Sequence, residues 1–192
     1  MDIGQTLARS LDGYAAFDAV EQAHLDHLRA FLASGSDVFS RANPIGHVTA
    51  SAFVVDSDAN ATLLTHHARL EQWFQLGGHV DIEDETVLAA ALREAAEESG
   101  LVGLRPSGEG FFDVDVHTIP FHAARNEPEH LHFDVRFLLI AADRDFTISD
   151  ESNDLRWFDL DEAARVAGDD SLRRMIRKYR SALARAEPQA LG

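Results

Sequence analysis

The chain has 192 residues, 45% of them hydrophobic and 26% charged, a balance typical of a globular protein with a sizeable core. Its 17 basic and 33 acidic side chains give a net charge of −16, which disfavours binding to polymeric nucleic acid or to an anionic membrane. The lack of cysteine excludes disulfides and thiolate sites, and the lack of a signal peptide or of an 18-residue apolar run predicts a cytoplasmic protein.

The amino-terminal segment is predicted to be helical. Apolar residues recur at helical spacing from Asp2 to Ala33, and Gly13 is positioned to divide the pattern into two helices. A loop rich in Ser, Gly and Asn follows, up to Pro44. We therefore expect residues 1–45 to form a helical extension that packs on a domain of residues 46–188 or on a second subunit, as in a homodimer.

Alternating apolar residues predict strands on both sides of a central helix. The first two strands are expected to pair as a hairpin, and a terminal helix is expected from residue 171 to about residue 186. The predicted strands cover residues 47–56, 62–67, 73–76, 112–116, 130–137 and 155–158.

The segment that follows the third strand reads GGHVDIEDETVLAAALREAAEESGL and is dense in carboxylates. Thr86 and Gly100 are the candidate N-cap and C-cap of a helix. At about 100° per residue, Glu94, Glu97 and Glu98 share one face of that helix. A solvated acidic face is one interpretation. The other is a cation site, and oxygen-only ligands suit Mg²⁺ or Mn²⁺.

The order of residues in this helix favours the cation site. The run REAAEESGL, which begins at Arg93, matches the R-E-U-x-E-E-x-G-U half of the Nudix hydrolase signature, where U is aliphatic or small apolar. Glu85 stands the expected eight residues before Arg93. The chain therefore resembles the Nudix family. It departs from the family between Gly78 and Glu85, where six residues replace the usual five.

The resemblance implies an α/β fold, a Nudix-type α/β/α sandwich with a mixed sheet, to which the N-terminal helical extension is added. It also implies an enzyme that uses water to hydrolyse a phosphoanhydride bond in a nucleoside diphosphate linked to another moiety. The expected partner is thus a small phosphorylated nucleotide derivative. The net charge agrees with a metal cofactor, since divalent ions are needed to bridge substrate phosphates to carboxylates.

The resemblance further implies a ligand set for Mg²⁺ or Mn²⁺. By position in the signature, Glu97 and Glu98 bind the metal. Glu94 is a further ligand or the base that deprotonates water. The carbonyl oxygen of Gly77 completes the metal shell.

Two more residues are implied to support catalysis. Arg93 would pair with Glu85 or Glu94 and orient the carboxylates. Because family members also draw their base from a loop outside the helix, Glu151 in an acidic loop is the second candidate for that role after Glu94.

The residues that bind the rest of the substrate are expected on loops and on one strand. In the strand at residues 130–137, alternation places His132 and Asp134 on a polar face that is the candidate floor of a site. Gly77 and Gly78 are predicted to form a turn, which we call the glycine turn. His79 lies beside it, where it is either a substrate or second metal-shell contact or a surface residue. The candidate substrate-binding residues are His79, Asp81, Arg125, His132 and Asp134.

Two alternatives to catalysis remain at this point. A Nudix fold can serve as a module that senses a nucleotide or binds a protein without hydrolysis, but degenerate motifs mark such modules and this chain keeps every charged position. A structural Ca²⁺ site fits less well, because Ca²⁺ ligands alternate along a loop around a glycine rather than along a helix.

Overall fold

The computed structural model describes residues 2–68, 70–108, 110–121, 128–148 and 152–186. In this part of the chain a mixed eight-stranded sheet lies between two layers of helices, as the predicted α/β/α sandwich requires. The helices are α1 Ile3–Ser10, α2 Ala19–Leu32, α3 Val87–Ser99, α4 Leu160–Val166 and α5 Asp170–Ala186. The strands are β1 Gly46–Val55, β2 Ala61–His67, β3 Gln72–Phe74, β4 Leu76–His79, β5 Arg105–Pro106, β6 Asp113–Ile119, β7 His130–Ile140 and β8 Ser152–Asp159.

Strand β1 organises the sheet. It runs parallel to β7 along its whole length, from the pair Gly46 and Leu131 to the pair Val55 and Ile140. Its other edge is shared, because β2 pairs with the end of β1 and β4 pairs with its middle, in both cases antiparallel. The glycine turn predicted from the sequence is thus part of a strand, and it lies directly beside the centre of the sheet.

The two faces of the sheet differ in polarity. Alternate β1 residues, from Val48 to Val54, are buried in a core shared with α1, α2 and α3. On the other face Phe53 and Val55 pack in a core with α4 and α5. The same face becomes polar toward the start of β1, where His47, Thr49 and Ser51 are buried. Polar side chains are seldom fully buried, so this end of the sheet is a candidate position for a functional site.

Helix α2 covers the edge of β6, the outer strand on this part of the sheet. The N–H groups of Val114 and Val116 donate to the Glu21 carboxylate and to His24 Nδ1, each over 3.2 Å. Lys178 on α5 donates to the same carboxylate over 2.7 Å. Helix α2 therefore satisfies backbone groups that an open edge would leave to solvent or to another chain. The division of the chain at residue 45 stays a prediction.

Most of the predicted secondary structure is confirmed, with shifts at the ends of elements. The strand predicted over residues 73–76 is instead divided into β3 and β4, and β5 was not predicted. The amino-terminal helical pattern does divide near Gly13, into α1 and α2. Strand β8 begins at Ser152, three residues earlier than predicted, because it continues its pairing along β2. No helix in the described ranges is both long enough and apolar enough to cross a membrane.

Candidate active site

Helix α3 begins and ends where the sequence predicts. The Thr86 side chain accepts a hydrogen bond from a first-turn N–H over 3.0 Å, and Gly100 ends the helix in the left-handed conformation with φ 66°. The side chains of α3 that are fully buried are all small: Ala90, Ala91, Ala95 and Ser99. Small residues allow the helix to approach the sheet closely, so its carboxylates lie near the backbone of β4.

The two glycines of β4 lie against those carboxylates. A Cβ atom on Gly78 would be 2.4 Å from Glu94 Oε2, and the N–H of Gly77 is 3.5 Å from Glu98 Oε1. Gly77 also has φ 147° and packs on Ser51, where a Cβ would meet the Cα atom at 2.5 Å. Only glycine fits at either position without displacing its neighbours.

Arg93 ties the helix to the loop that precedes it. Its guanidinium donates to both Asp84 oxygens over 3.2 and 2.8 Å and to the carbonyl oxygen of His79 over 2.9 Å. It also donates to Glu94 over 3.0 Å and to Glu97 over 3.2 Å. The planar fork of arginine suits this arrangement, which orients two of the three helix carboxylates.

The loop partner of Arg93 differs from the expected one. The pairing with Glu94 is present, but Asp84 takes the place of Glu85, whose side chain is exposed. The extra residue in the loop explains the exchange. Five residues separate Gly78 from Asp84, which is the spacing typical of the family, so the insertion falls between the loop carboxylate and the helix.

Charge and burial distinguish the carboxylates of this site. Burial raises the pKa of Glu94, although the hydrogen bond from Arg93 opposes the shift. Burial would also raise the pKa of Asp84, but two hydrogen bonds from Arg93 lower it below its ordinary value. Glu97 and Asp81 are more exposed, with 61% and 59% of their side chains accessible. The site therefore has more negative charge than Arg93 neutralises, and its donors are oxygen atoms that suit a hard divalent cation.

These residues line an open acidic pocket of about 510 Å³. Besides β4 and the α3 carboxylates, Asp81 and Arg41 contribute to its wall. Asp81, a candidate substrate-binding residue from the sequence, lies in this wall with its carboxylate 3.4 Å from Arg93. Arg41 was not anticipated, because nothing in its local sequence distinguishes it from a surface arginine.

A second pocket, of about 470 Å³, lies over the polar end of the sheet. It meets the acidic pocket at Gly77, Gly78 and His79, which line both. His132 and Asp134 also line it, together with apolar side chains such as Phe74. We call this the sheet pocket. A ligand that spans both pockets would cross the glycine turn.

Asp134 lies in the floor of the sheet pocket, and the protein itself uses much of its hydrogen-bonding capacity. It is 2% exposed and accepts hydrogen bonds from Thr49 Oγ1 over 3.0 Å, from Ser51 Oγ over 2.8 Å and from Arg136 Nε over 2.7 Å. Asp134 therefore fixes the side chains of Thr49 and Ser51 in the floor and neutralises Arg136.

Five imidazole rings gather at one end of this floor. One ring nitrogen from each of His47, His130 and His132 lies within 4.8 Å of the other two, and we call these three residues the histidine cluster. His79 and His117 flank it, with ring centroids 5.6 Å from that of His132. Burial and the neighbouring histidines lower the pKa of His47 to about 4 and that of His132 to about 2, so both rings are neutral at pH 7.

Sequence reasoning placed His132 in the site but missed His47. The signal was present, since His47, Thr49 and Ser51 alternate with apolar residues and must share a polar face. What the sequence does not show is that β1 lies beside β7, which brings His47 opposite His132. Two other predicted site residues, Arg125 and Glu151, lie outside the described residues.

A comparison with protein families gives a match to the NUDIX domain model over residues 46–179. The match begins at the first residue of β1 and ends within α5.

Individual proteins are similar as well. A probable DHNTP pyrophosphohydrolase from Lactococcus lactis subsp. cremoris (strain MG1363) is 32% identical over 106 residues, which are 55% of this chain and 61% of that protein. The chain thus matches less than two thirds of that relative's length.

Two solved structures resemble the fold at lower identity. An Ap4A hydrolase binary complex from C. elegans is 20% identical with a TM-score of 0.54, over 71% of this chain and 97% of the other. The NUDIX domain of Shewanella oneidensis NrtR, complexed with ADP ribose, is 19% identical with a TM-score of 0.53, over 80% of this chain and 97% of the other. At these identities the similarity shows a shared fold.

Proposed function

The chain belongs to the Nudix family, and from that premise we propose that it is a divalent-metal-dependent hydrolase of a phosphoanhydride bond in a small nucleotide derivative. One observation carries the proposal: the carboxylates of Glu94 and Glu98 meet the glycine turn of β4 at the junction of two pockets. An acidic pocket alone would repel a phosphorylated ligand. With a metal ion bound, the acidic pocket would accept the substrate phosphates, and the adjoining sheet pocket would accept the rest of the substrate.

The residues present fit Mg²⁺ or Mn²⁺. Glu97 and Glu98 supply carboxylate oxygens, the carbonyl oxygen of Gly77 is a further candidate ligand, and Glu94 is a ligand only where Glu151, rather than Glu94, is the base. Held by these residues, a divalent ion would neutralise charge that builds up on the phosphate oxygens and would make water a better nucleophile. Arg93 acts as a positioning residue, because it fixes Glu94 and Glu97 to the loop at Asp84.

The base is assigned to Glu94, with Glu151 as the alternative. Burial raises the pKa of Glu94, which brings the carboxylate closer to the pH at which it must accept a proton. Glu85, which the family signature suggested as a partner of Arg93, is exposed, and Asp84 replaces it in that role.

The sheet pocket is assigned to the part of the substrate that carries little charge. The described residues of its floor include His132, whose ring is neutral at pH 7, and the buried Arg136, which Asp134 neutralises. Phe74 and Leu70 add apolar surface of the kind that packs against a flat ring. We therefore expect the nucleobase or a similar heterocycle in the sheet pocket, with His79 and His132 as polar contacts. The compounds named for the relatives above, DHNTP, Ap4A and ADP ribose, all combine such a ring with linked phosphates.

The test is a hydrolysis panel. Purified protein is incubated with ADP ribose, Ap4A and dihydroneopterin triphosphate in Mg²⁺, in Mn²⁺ and in EDTA, and the products are separated by chromatography. We expect turnover that requires metal for at least one compound. Binding without turnover in either metal would instead support a nucleotide-sensing module.

Variants separate the metal ligands from the surrounding charge. Glu98→Gln and Glu97→Gln should abolish metal-dependent turnover while circular dichroism stays unchanged. Glu83→Gln, which removes an exposed carboxylate of the neighbouring loop, is the matched control and should retain activity. Retained turnover in Glu98→Gln would refute the assignment of Glu98 as a metal ligand. Profiles of rate against pH for Glu94→Gln and Glu151→Gln identify the base, because only its loss removes the acidic limb.

Three further properties are proposed from the sequence alone. A homodimer, a cytoplasmic location and the absence of binding to polymeric nucleic acid follow from sequence composition and pattern, and size-exclusion chromatography with light scattering measures the first directly.

A further inference from the structure

We propose that the histidine cluster, His47, His130 and His132, binds a divalent transition-metal ion of the Zn²⁺ class at a site separate from the carboxylates of α3. This inference does not depend on the proposed function. It concerns nitrogen donors on β1 and β7, whereas the catalytic metal is assigned to oxygen donors on α3 and β4.

The backbone brings the three rings together. His130 and His132 are two residues apart on β7, so both side chains project from the same face of the strand. His47 is the register partner of His132 on the adjacent parallel strand, and it projects from that face too. The ring centroid of His47 is 5.1 Å from that of His130 and 4.7 Å from that of His132. Rigid strands, rather than a loop, therefore hold the donors.

The distances suit a tetrahedral ion after a small closure. One nitrogen from each ring lies within 4.8 Å of the others. With Zn–N bonds of about 2.0–2.1 Å, tetrahedral ligands are roughly 3.3 Å apart. The rings therefore need to approach by at most about 1.5 Å for all three to bind one ion.

His47 gives an independent reason to expect a ligand. Its side chain is 0% exposed, and among the residues that the structure describes neither ring nitrogen has a hydrogen-bond partner. A buried imidazole without hydrogen bonds is costly, and native proteins rarely keep one without a reason. Coordination of an ion through one of these nitrogens would remove much of that cost.

A neighbouring contact orients a second ring. His130 Nδ1 lies 2.8 Å from the carbonyl oxygen of Pro128, and since a carbonyl oxygen can only accept, this nitrogen carries the proton. The lone pair is then on Nε2. Metal-binding histidines in proteins usually show this arrangement, in which the nitrogen that does not bind the ion donates to a carbonyl or carboxylate oxygen.

The donor set selects the ion. Imidazole nitrogen suits Zn²⁺, Co²⁺, Ni²⁺ and Cu²⁺, while Mg²⁺ prefers the carboxylates. Three histidines also leave one position of a tetrahedron for water or a ligand. His132 lines the sheet pocket, so an ion in the cluster would be reached from the pocket that we assign to the uncharged part of the substrate.

The experiment uses Co²⁺ as a spectroscopic probe. The full chain is treated with EDTA, dialysed, and titrated with Co²⁺ in excess Mg²⁺, which occupies the carboxylates. We expect an intense visible absorption typical of tetrahedral Co²⁺, which Zn²⁺ displaces and further Mg²⁺ does not. Calorimetry under the same conditions measures the affinity for Zn²⁺. A weak spectrum of the octahedral type would overturn the proposal.

Variants then locate the ion. His132→Ala and His47→Phe should each weaken Zn²⁺ binding by about 100-fold or more, since even second-shell changes cost roughly 10–100-fold. His66→Gln, on β2 against Trp73, is the matched control and should bind as the wild type does. Glu98→Gln should also keep the Co²⁺ spectrum. If His47→Phe does not fold, the Co²⁺ spectra of the wild type and of His132→Ala still show whether the cluster binds the ion, because His132 is only half-buried. A spectrum that survives in His132→Ala, or that disappears in Glu98→Gln, contradicts a separate histidine site.

Discussion

Replacing Gly78 with alanine perturbs the active site through one atom. The added Cβ would lie 2.4 Å from Glu94 Oε2 and 2.5 Å from Glu94 Cδ, whereas ordinary van der Waals contact begins at 3.4 Å. The Glu94 carboxylate must therefore move by about 1 Å. The backbone at Gly78 lies outside the left-handed region, so alanine is otherwise tolerated there.

The expected effect is large on catalysis and small on stability. A misplacement of about 1 Å in a catalytic group can cost roughly 100-fold in rate, or about 2.7 kcal/mol in activation free energy. The free energy of unfolding should change by less than about 1 kcal/mol, because the end of a flexible side chain gives way and alanine reduces the entropy of the unfolded chain.

A double-mutant cycle shows whether the effect passes through Glu94. The kcat values of Gly78→Ala, Glu94→Gln and the double variant are measured with the best substrate of the hydrolysis panel, and urea denaturation gives the stability of each. If the added methyl group acts only on the Glu94 carboxylate, the double variant has the kcat of Glu94→Gln alone. Wild-type turnover in Gly78→Ala, or two fully additive losses, would refute the reasoning.

Three further predictions concern stability, each measured by urea denaturation. Gly77→Ala should lower the free energy of unfolding by roughly 2 kcal/mol or more, because φ is 147° and the Cβ would meet the backbone of Ser51. Arg174→Leu should cost about 3–5 kcal/mol, since it breaks a buried ion-pair network between α5 and β6; a loss under 1 kcal/mol would contradict this. For Asp56, burial opposes ionisation, but hydrogen bonds from Arg144 and from two backbone N–H groups lower the pKa overall. Its contribution is therefore complete above about pH 4 and is lost as the pH falls further, so Asp56→Asn should show a shallower loss of stability in acid than the wild type.

Local sequence was sufficient for the central helix. The helix begins after Thr86, which supplies an N-cap oxygen, and ends at Gly100, which adopts a left-handed conformation. Both effects act within a few residues. The helical spacing of its glutamates likewise places them on one face without any tertiary contact. The sandwich architecture was predicted from the family resemblance and is confirmed by the mixed sheet with helices on both faces.

Loop geometry was not predictable from the same signals. The signature pointed to Glu85, yet the loop carries an extra residue, and which carboxylate then reaches Arg93 depends on how the chain returns to the helix. The structure places Asp84 there, because Arg93 is fixed from the other side by the His79 carbonyl oxygen and by Glu94.

The segment from Gly77 to Leu101 determined by itself the helix and its acidic face, through its caps and the spacing of its carboxylates. The same spacing predicts a site for a hard cation. Only the tertiary structure decided what surrounds that face. The long-range pairing of β1 with β7 places His47 directly beside His132. The pairing of β4 with β1 places Gly77 and Gly78 between the two pockets. Such contacts join residues far apart in the chain, and strand order is not encoded in any local pattern.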